Sequence, residues 1–153
     1  MPDDDAFLRA IGEAPADDAP RLVYADWLDE HGDADRAEFI RVQVEIDPYR
    51  RADSDLDRWR RAVIDRHLDR PVPADFPPET HRYATLARRE AELRKARQWD
   101  WLGPLAAVDE DDRSHLAVTF RRGFAEEVAL TASSFLESAE VVRSVQGKDA
   151  DEG

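Results

Sequence analysis

At 153 residues, with 42% hydrophobic and 37% charged side chains, the chain has the size of one ordinary domain and enough Leu, Val, Phe and Trp to enclose a core, which excludes a disordered polymer. A formal charge of -13 argues against general affinity for a phosphate backbone, and the absence of cysteine excludes disulfides, thiolate nucleophiles and thiolate zinc sites. No apolar run approaches the roughly 20 residues of a membrane span, and the acidic start MPDDDAFLRA lacks the basic and apolar regions of a signal peptide, so the sequence predicts a cytoplasmic protein with no membrane partner.

The charge is unevenly spread. Met1 to Asp47 carries 14 acidic and 4 basic residues, Pro48 to Trp99 carries 9 and 13, and Asp100 to Gly153 carries 12 and 5, for segment charges of -10, +4 and -7. The two ends repel anions and only the middle attracts them. The organisation predicted is a single domain over 1–153, with a helical hairpin region at 1–46, an Arg-rich helical insertion at 47–99, and a strand-helix unit with a polar tail at 100–153. The fold class is mainly α (α+β), built on a helix-turn-helix hairpin, with a small C-terminal strand or β-hairpin followed by a helix.

In chain order, Asp3, Asp4 and Asp5 offer caps for a first helix bearing Phe7, Leu8 and Ile11, which Gly12 is expected to stop. Pro20 suits the first position of a second helix, whose apolar residues Leu22, Val23, Trp27 and Leu28 recur at helical spacing until Gly32. Asp33 or Asp35 caps a third helix running through Phe39, Ile40, Gln43 and Val44. Trp27 is expected to be largely buried against Phe39 and Ile40. Asp26, at the edge of that face, is expected to pair with Arg21 or Arg41 or to cap a helix start, and Gln43 to find a backbone partner between the helices.

Asp47 and Pro48 are expected to break the third helix. A fourth then places Leu56, Trp59, Val63, Ile64, His67 and Leu68 on one face. Pro71, Pro73, Pro77 and Pro78 make the next stretch a stiff, non-helical connector. A fifth helix carries Tyr83, Leu86, Glu90 and Leu93 and ends near Trp99. Trp101, Leu102, Pro104 and Leu105 then form an apolar knot. From His115 the period becomes alternating, with Leu116, Val118 and Phe120 before Arg122-Gly123 and Phe124, Val128 and Leu130 after it. Thr131 or Ser134 is expected to start a last helix, with Ser134 and Glu137 as a candidate capping box, and the polar end GKDADEG reads as the cap of a single repeat-like unit, since one unit alone is no solenoid.

The words RLVYADWLDEHGD, from Arg21 to Asp33, and AEFIRVQ, from Ala37 to Gln43, resemble the repeat-companion domain, a short helical module numerous in large-genome bacteria such as planctomycetes and myxobacteria. The likeness continues in the first helix, in WLGPL at Trp101 to Leu105 and in FRRGFAEEVAL at Phe120 to Leu130, covering roughly two thirds of the chain. It departs by one added residue around Asp33 to Arg36 and does not extend to Asp47 to Ala84. In that family the module commonly sits at the N-terminus of leucine-rich-repeat-like proteins, with no established biochemical activity. The resemblance therefore implies a non-enzymatic interaction or scaffold module with a protein partner. Arg21, Tyr24, Asp26, Trp27, Leu28, Gly32, Phe39, Ile40 and Gln43 are its motif positions here, in a structural role.

No chemistry-bearing pattern competes with this. His31, His67, His81 and His115 form no HxxxH or HExxH pair. The turn Asp29, Glu30, His31, Asp33, Asp35 gathers metal-ligating residue types but lacks the order of a calcium loop, and helix termination and capping explain it more simply. Asp26 with Asp29 or Glu30 shares a helix face, as chance allows in a chain with 35 acidic residues. There is no nucleophile elbow and no phosphate-cradling loop. The reading is no enzyme, no cofactor and no metal, with a metal-dependent enzyme as the weakest alternative. The run Arg50, Arg51, Arg58, Arg60, Arg61, Arg66, interleaved with Tyr49 and Trp59, supports the second alternative, a nucleic-acid-binding accessory protein. Asp53, Asp55, Asp57 and Asp65 run through it, so surface ion pairs account for it more simply and make a nucleic-acid partner the lesser reading. Arg58, Arg60 and Arg61 are the candidate contacts for an anion or an acidic partner.

Overall fold

The structure is a computed structural model that describes residues 2–51, 55–102 and 116–130. Among these residues it is mostly helical, with α1 at Pro2–Glu13, α2 at Ala19–Glu30, α3 at Ala34–Arg51, α4 at Asp55–Arg66 and α5 at Pro78–Arg97, followed by an antiparallel hairpin of β1 at Leu116–Arg121 and β2 at Phe124–Leu130. None of the helices is long and apolar enough to cross a membrane. The helix expected from Thr131 or Ser134, with Pro104, Leu105 and His115, lies outside the described residues.

The predicted turn between α2 and α3 forms for the reasons its residues suggest. Gly32 takes a φ of +90°, the left-handed conformation in which a side chain is strained. Asp33 N–H then donates to the Leu28 carbonyl at 2.9 Å and Gly32 N–H to that of Asp29 at 3.4 Å, which satisfies the last carbonyls of α2. Asp33 also starts the next helix, because its carboxylate accepts the Arg36 N–H at 3.3 Å. One residue closes one helix and opens another.

α3 is the central element because it buries residues on several sides. Ala37 and Ile40 join Ile11, Tyr24, Ala25 and Leu28 from α1 and α2. Val42 and Ile46 join Tyr83, Leu86 and Ala87 from α5, with Ile64 and Leu68 packed on them. Phe39 joins Leu93, Leu102 and Phe120, with its ring 4.6 Å from that of Trp101 and edge-on to Phe120 at 5.3 Å. Burial against three clusters at once makes α3 the core helix, with one side left to solvent.

Several expectations are corrected. α2 buries Arg21, Tyr24, Ala25 and Leu28, an i, i+3, i+4, i+7 stripe that turns Leu22 and Val23 outward, Val23 to 55% exposure. Leu8 is exposed as well. Trp27 is half-buried at the rim of its cluster, where it meets Phe7, Tyr24 and the stacked ring of His31. Gly12 lies within α1, whose last residue is Glu13. α3 continues through Asp47 and Pro48 to Arg51. Pro48 stands on the exposed side, where the Val44 carbonyl that it leaves without a donor can meet water. The neighbouring Ile46 and Asp47 are buried and hold the helix across that point. On α4, Trp59 and Val63 face outward, 59% and 42% exposed, while Ile64 and the following Leu68 pack against the core.

The hairpin reverses through Arg122 and Gly123, with φ of 46° and 91°, the sign pattern of a two-residue turn matched to strand twist. Register runs from Leu116 opposite Leu130 to Val118 opposite Val128, then shifts between Thr119 and Phe120, leaving Phe120 opposite Ala125. This bulge aims Phe120 into the core. The turn lies directly on α3: a methyl group at Gly123 would stand 2.5 Å from Ile40 Cγ1 and 2.9 Å from Ile40 Cα.

Gly123→Ala should therefore cost about 2–4 kcal/mol in urea melts, combining backbone strain with overpacking. Gly12→Ala, in a helix with open space around the position, should be neutral or stabilising by up to about 1 kcal/mol. A second pair separates core from rim: Phe39→Ala should cost about 3–5 kcal/mol, and Trp27→Ala, whose side chain is only partly enclosed, about 1–3 kcal/mol. Equal midpoints for Phe39→Ala and Trp27→Ala would show that the two aromatics are equally enclosed.

Candidate functional site

Polar groups at the centre of the molecule form one junction. Gln43 on α3 donates from Nε2 to Glu90 Oε1 on α5 at 2.6 Å and to the Phe120 carbonyl on β1 at 3.3 Å, and its Oε1 accepts the Gly123 N–H at 2.7 Å. Glu90 in turn accepts two bonds from Arg50, at 2.9 Å and 2.5 Å. Burial pushes the Glu90 carboxyl up, but Arg50 with Gln43 outweighs burial and holds it below the usual carboxylate range. The same pairing reverses the effect of burial on Arg50 and holds its guanidinium above its ordinary value. The backbone partners of Gln43, expected between the helices, come from the β-hairpin instead, together with an unexpected carboxylate.

The motif residues of the α2–α3 hairpin are likewise engaged. Arg41 binds Asp26 at 2.8 Å and Asp29 at 2.6 Å, so both carboxylates of that helix face share one guanidinium. Arg21 donates to the Asp17 carbonyl at 2.7 Å, and Tyr24 donates its hydroxyl to Asp4. Burial and then the Asp4 contact raise the Tyr24 phenol. In the acidic turn, His31 Nδ1 lies 2.7 Å from the Trp27 carbonyl, Asp35 pairs with Arg97 at 3.0 Å, and no group of three or more acidic or histidine side chains among the described residues is arranged to hold a metal ion.

The accessible features gather around α4. Tyr83 donates to both Asp65 oxygens, at 2.8 Å and 3.0 Å, its phenol pushed up to about 12 by burial and by that carboxylate. Arg61 donates to the Tyr49 carbonyl at 2.6 Å. One groove of about 380 Å³ lies between α4, the C-terminal turns of α3 and the start of α5, its lining including Tyr49, Asp57, Arg60, Arg61, Glu79 and Tyr83. On the other side of α4 a second groove of about 210 Å³ lies against the proline-rich connector, with Trp59, Val63 and Phe76 as its apolar surface. Arg60 belongs to both, its guanidinium 5.8 Å from the Phe76 ring and 3.5 Å from Asp57.

The three candidate arginines thus do not form one basic face. Arg60 lines both grooves, Arg61 only the first, and exposed Arg58 neither. Sequence reasoning missed three arginines that matter more to the fold. Arg36 is buried over the rings of Trp101 and Phe124, at 5.1 Å and 5.4 Å. Burial holds its guanidinium below its ordinary value. Arg122, at the hairpin tip, donates to the carbonyls of Ala16 and Pro15 and to Asp18. Arg88 ties α5 to the connector through the Leu68 carbonyl at 2.8 Å. Only Arg122 had a local signal, its place before glycine between two alternating segments.

No family model, no curated protein and no solved structure matches the chain.

The junction predicts an acid limb. A carboxyl held low in the folded state contributes stability above its unfolded pKa, near 4.5, and loses it as pH falls through the lower folded value. Glu90→Gln should destabilise by about 1–3 kcal/mol at neutral pH, through loss of the charge-assisted bonds, and should flatten the decline in stability between about pH 5 and pH 2. Denaturant melts across that range check both effects; an unchanged acid limb would mean that Glu90 is not a principal titrating group.

Proposed function

We propose that this chain is a non-enzymatic protein-interaction or scaffold module of the repeat-companion type. The observation that carries the interaction reading is the outward presentation of Trp59 and Val63 on α4 beside an open groove, in the segment outside the repeat-companion likeness. Large aromatic side chains left in water at such a place are typical anchors of recognition surfaces. Supporting it, the buried acid, amide and guanidinium groups of the Gln43 junction bind one another and the hairpin backbone. The likeness of RLVYADWLDEHGD and AEFIRVQ to the repeat-companion family, a module without established activity, points the same way. Cytoplasmic residence and a protein partner belong to the same proposal.

Site-specific photo-crosslinking tests it. A photoreactive residue in place of Trp59 should give discrete protein adducts that excess unlabelled protein competes away, while the same residue at exposed Arg9 on α1 should not. Turnover in a broad hydrolase screen, with no competed adduct at position 59, would overturn the reading.

A further inference from the structure

We propose that the groove between α4 and the proline-rich connector receives an acidic peptide segment of a partner protein, anchored by an apolar side chain and flanked by carboxylates. The inference rests on the interaction reading and specifies the partner's chemistry. Size comes first. At about 210 Å³ the groove falls below the roughly 300–1,000 Å³ of pockets that enclose a drug-sized ligand or cofactor, and it suits an inserted side chain.

Charge selects among peptides. The lining includes Arg60, Arg70, Arg88 and His67 and no Asp or Glu. Arg88 directs its guanidinium to the backbone carbonyls of Leu68 and Arg70, not to a carboxylate, and Arg70 is exposed. Arg60 lies against Phe76 with only a 3.5 Å contact to Asp57. The groove is therefore a cationic, apolar place on a molecule of net charge -13. An acidic segment is repelled by the two ends, of charge -10 and -7, and attracted to the basic middle where this groove lies, which steers where it docks as well as how fast it arrives. A nucleic acid fits less well, because its charges continue past the groove toward segments of charge -10 and -7.

The receiving surface is also held in place before binding. Ile64 and Leu68 pack on the α3–α5 core, Tyr83 holds Asp65, and Arg88 holds the connector. Trp59 and Val63, one helical turn apart, are thus presented by an element whose anchoring does not use them. Preorganisation of this kind lowers the ordering cost of binding.

The test is selection from a random peptide display library against the full chain, followed by anisotropy titration of recovered peptides on the wild type, Trp59→Ala and Arg70→Glu. Both substitutions are at exposed positions, and unchanged circular dichroism and melting midpoint would establish that the variants fold. Recovered sequences should be enriched in Asp and Glu around Leu, Ile or Phe. They should bind about tenfold or more weakly to each variant, and more weakly as salt rises. Enrichment in Lys and Arg, equal binding to the variants, or a labelled single-stranded oligonucleotide that binds more tightly and loses affinity in the same variants would each overturn the acidic-peptide assignment. Any of these results with a competed crosslink at position 59 leaves the interaction reading standing; absence of both enrichment and crosslink removes the two together.

Discussion

The amide of Gln43, on α3, touches α5 and both sides of the hairpin turn at once. An amide suits the place because it offers two donors and an acceptor in a fixed plane, here divided among Glu90, the Phe120 carbonyl and the Gly123 N–H. A two-stranded hairpin is marginal by itself. This one persists by lying on α3, where Phe120 enters the Phe39 cluster and Gly123 rests on Ile40. If the amide were lost, buried backbone groups at the turn would lack partners at about 1–3 kcal/mol each. The hairpin would then lose the contact that sets its position on the helix. The consequence reaches the other end of the chain, because the next residue back, Arg122, holds the carbonyls of Pro15 and Ala16 and the carboxylate of Asp18 between α1 and α2.

Arginine does much of the joining in this acidic chain, in three distinct ways. Arg122 and Arg88 bind backbone carbonyls of loops that form no regular ladder. Arg36 lies against aromatic faces, a site that a planar and weakly hydrated guanidinium tolerates better than an ammonium would. Arg41, Arg89 and Arg97 each bind two carboxylates, joining α2 to α3 in the first case and α3 to α5 or its following turn in the others. The exposed pairs contribute little individually. What they supply is sign matching at the level of single residues: carboxylates of α2 and α3 meet guanidinium groups of α3 and α5, so neighbouring helices join through opposite charges.

The parts of this architecture that were legible in the sequence are those set by neighbours a few residues away. Gly32 followed by Asp33 specifies the end of α2 and the start of α3, and Arg122-Gly123 between alternating segments specifies the hairpin. On α5 the stripe Tyr83, Leu86, Glu90, Leu93 is buried as its spacing predicts. Failures came where two faces compete. On α2 the apolar residues Leu22 and Val23 suggested one face, but Ala25, which has no exposure, is where α3 approaches closely, and a close approach favours a small side chain over a large one. Pro48 was read as a stop because local chemistry says so, while burial of Ile46 and Asp47 on either side of α3 overrides it. Of the candidate partner contacts, Arg60 could be named from sequence, but the groove it lines needs Phe76 and Arg88, which only folding brings beside it.

α4 shows why the surface reading and the core reading separate. Trp59 and Ile64 both belong to its apolar pattern, and the sequence placed them on one face. Tyr83 fixes the helix by its bond to Asp65, and Ile64 and Leu68 fill the space above Val42 and Ile46, so the rotation of α4 is set without Trp59 or Val63. Rotating it to bury Trp59 would pull Asp65 from Tyr83 and leave a buried phenol without its acceptor, a loss that the aromatic surface gained would have to exceed. The exposed tryptophan follows from an anchoring that the core itself requires, and a residue released from the core in this way can change with a partner while the fold stays the same.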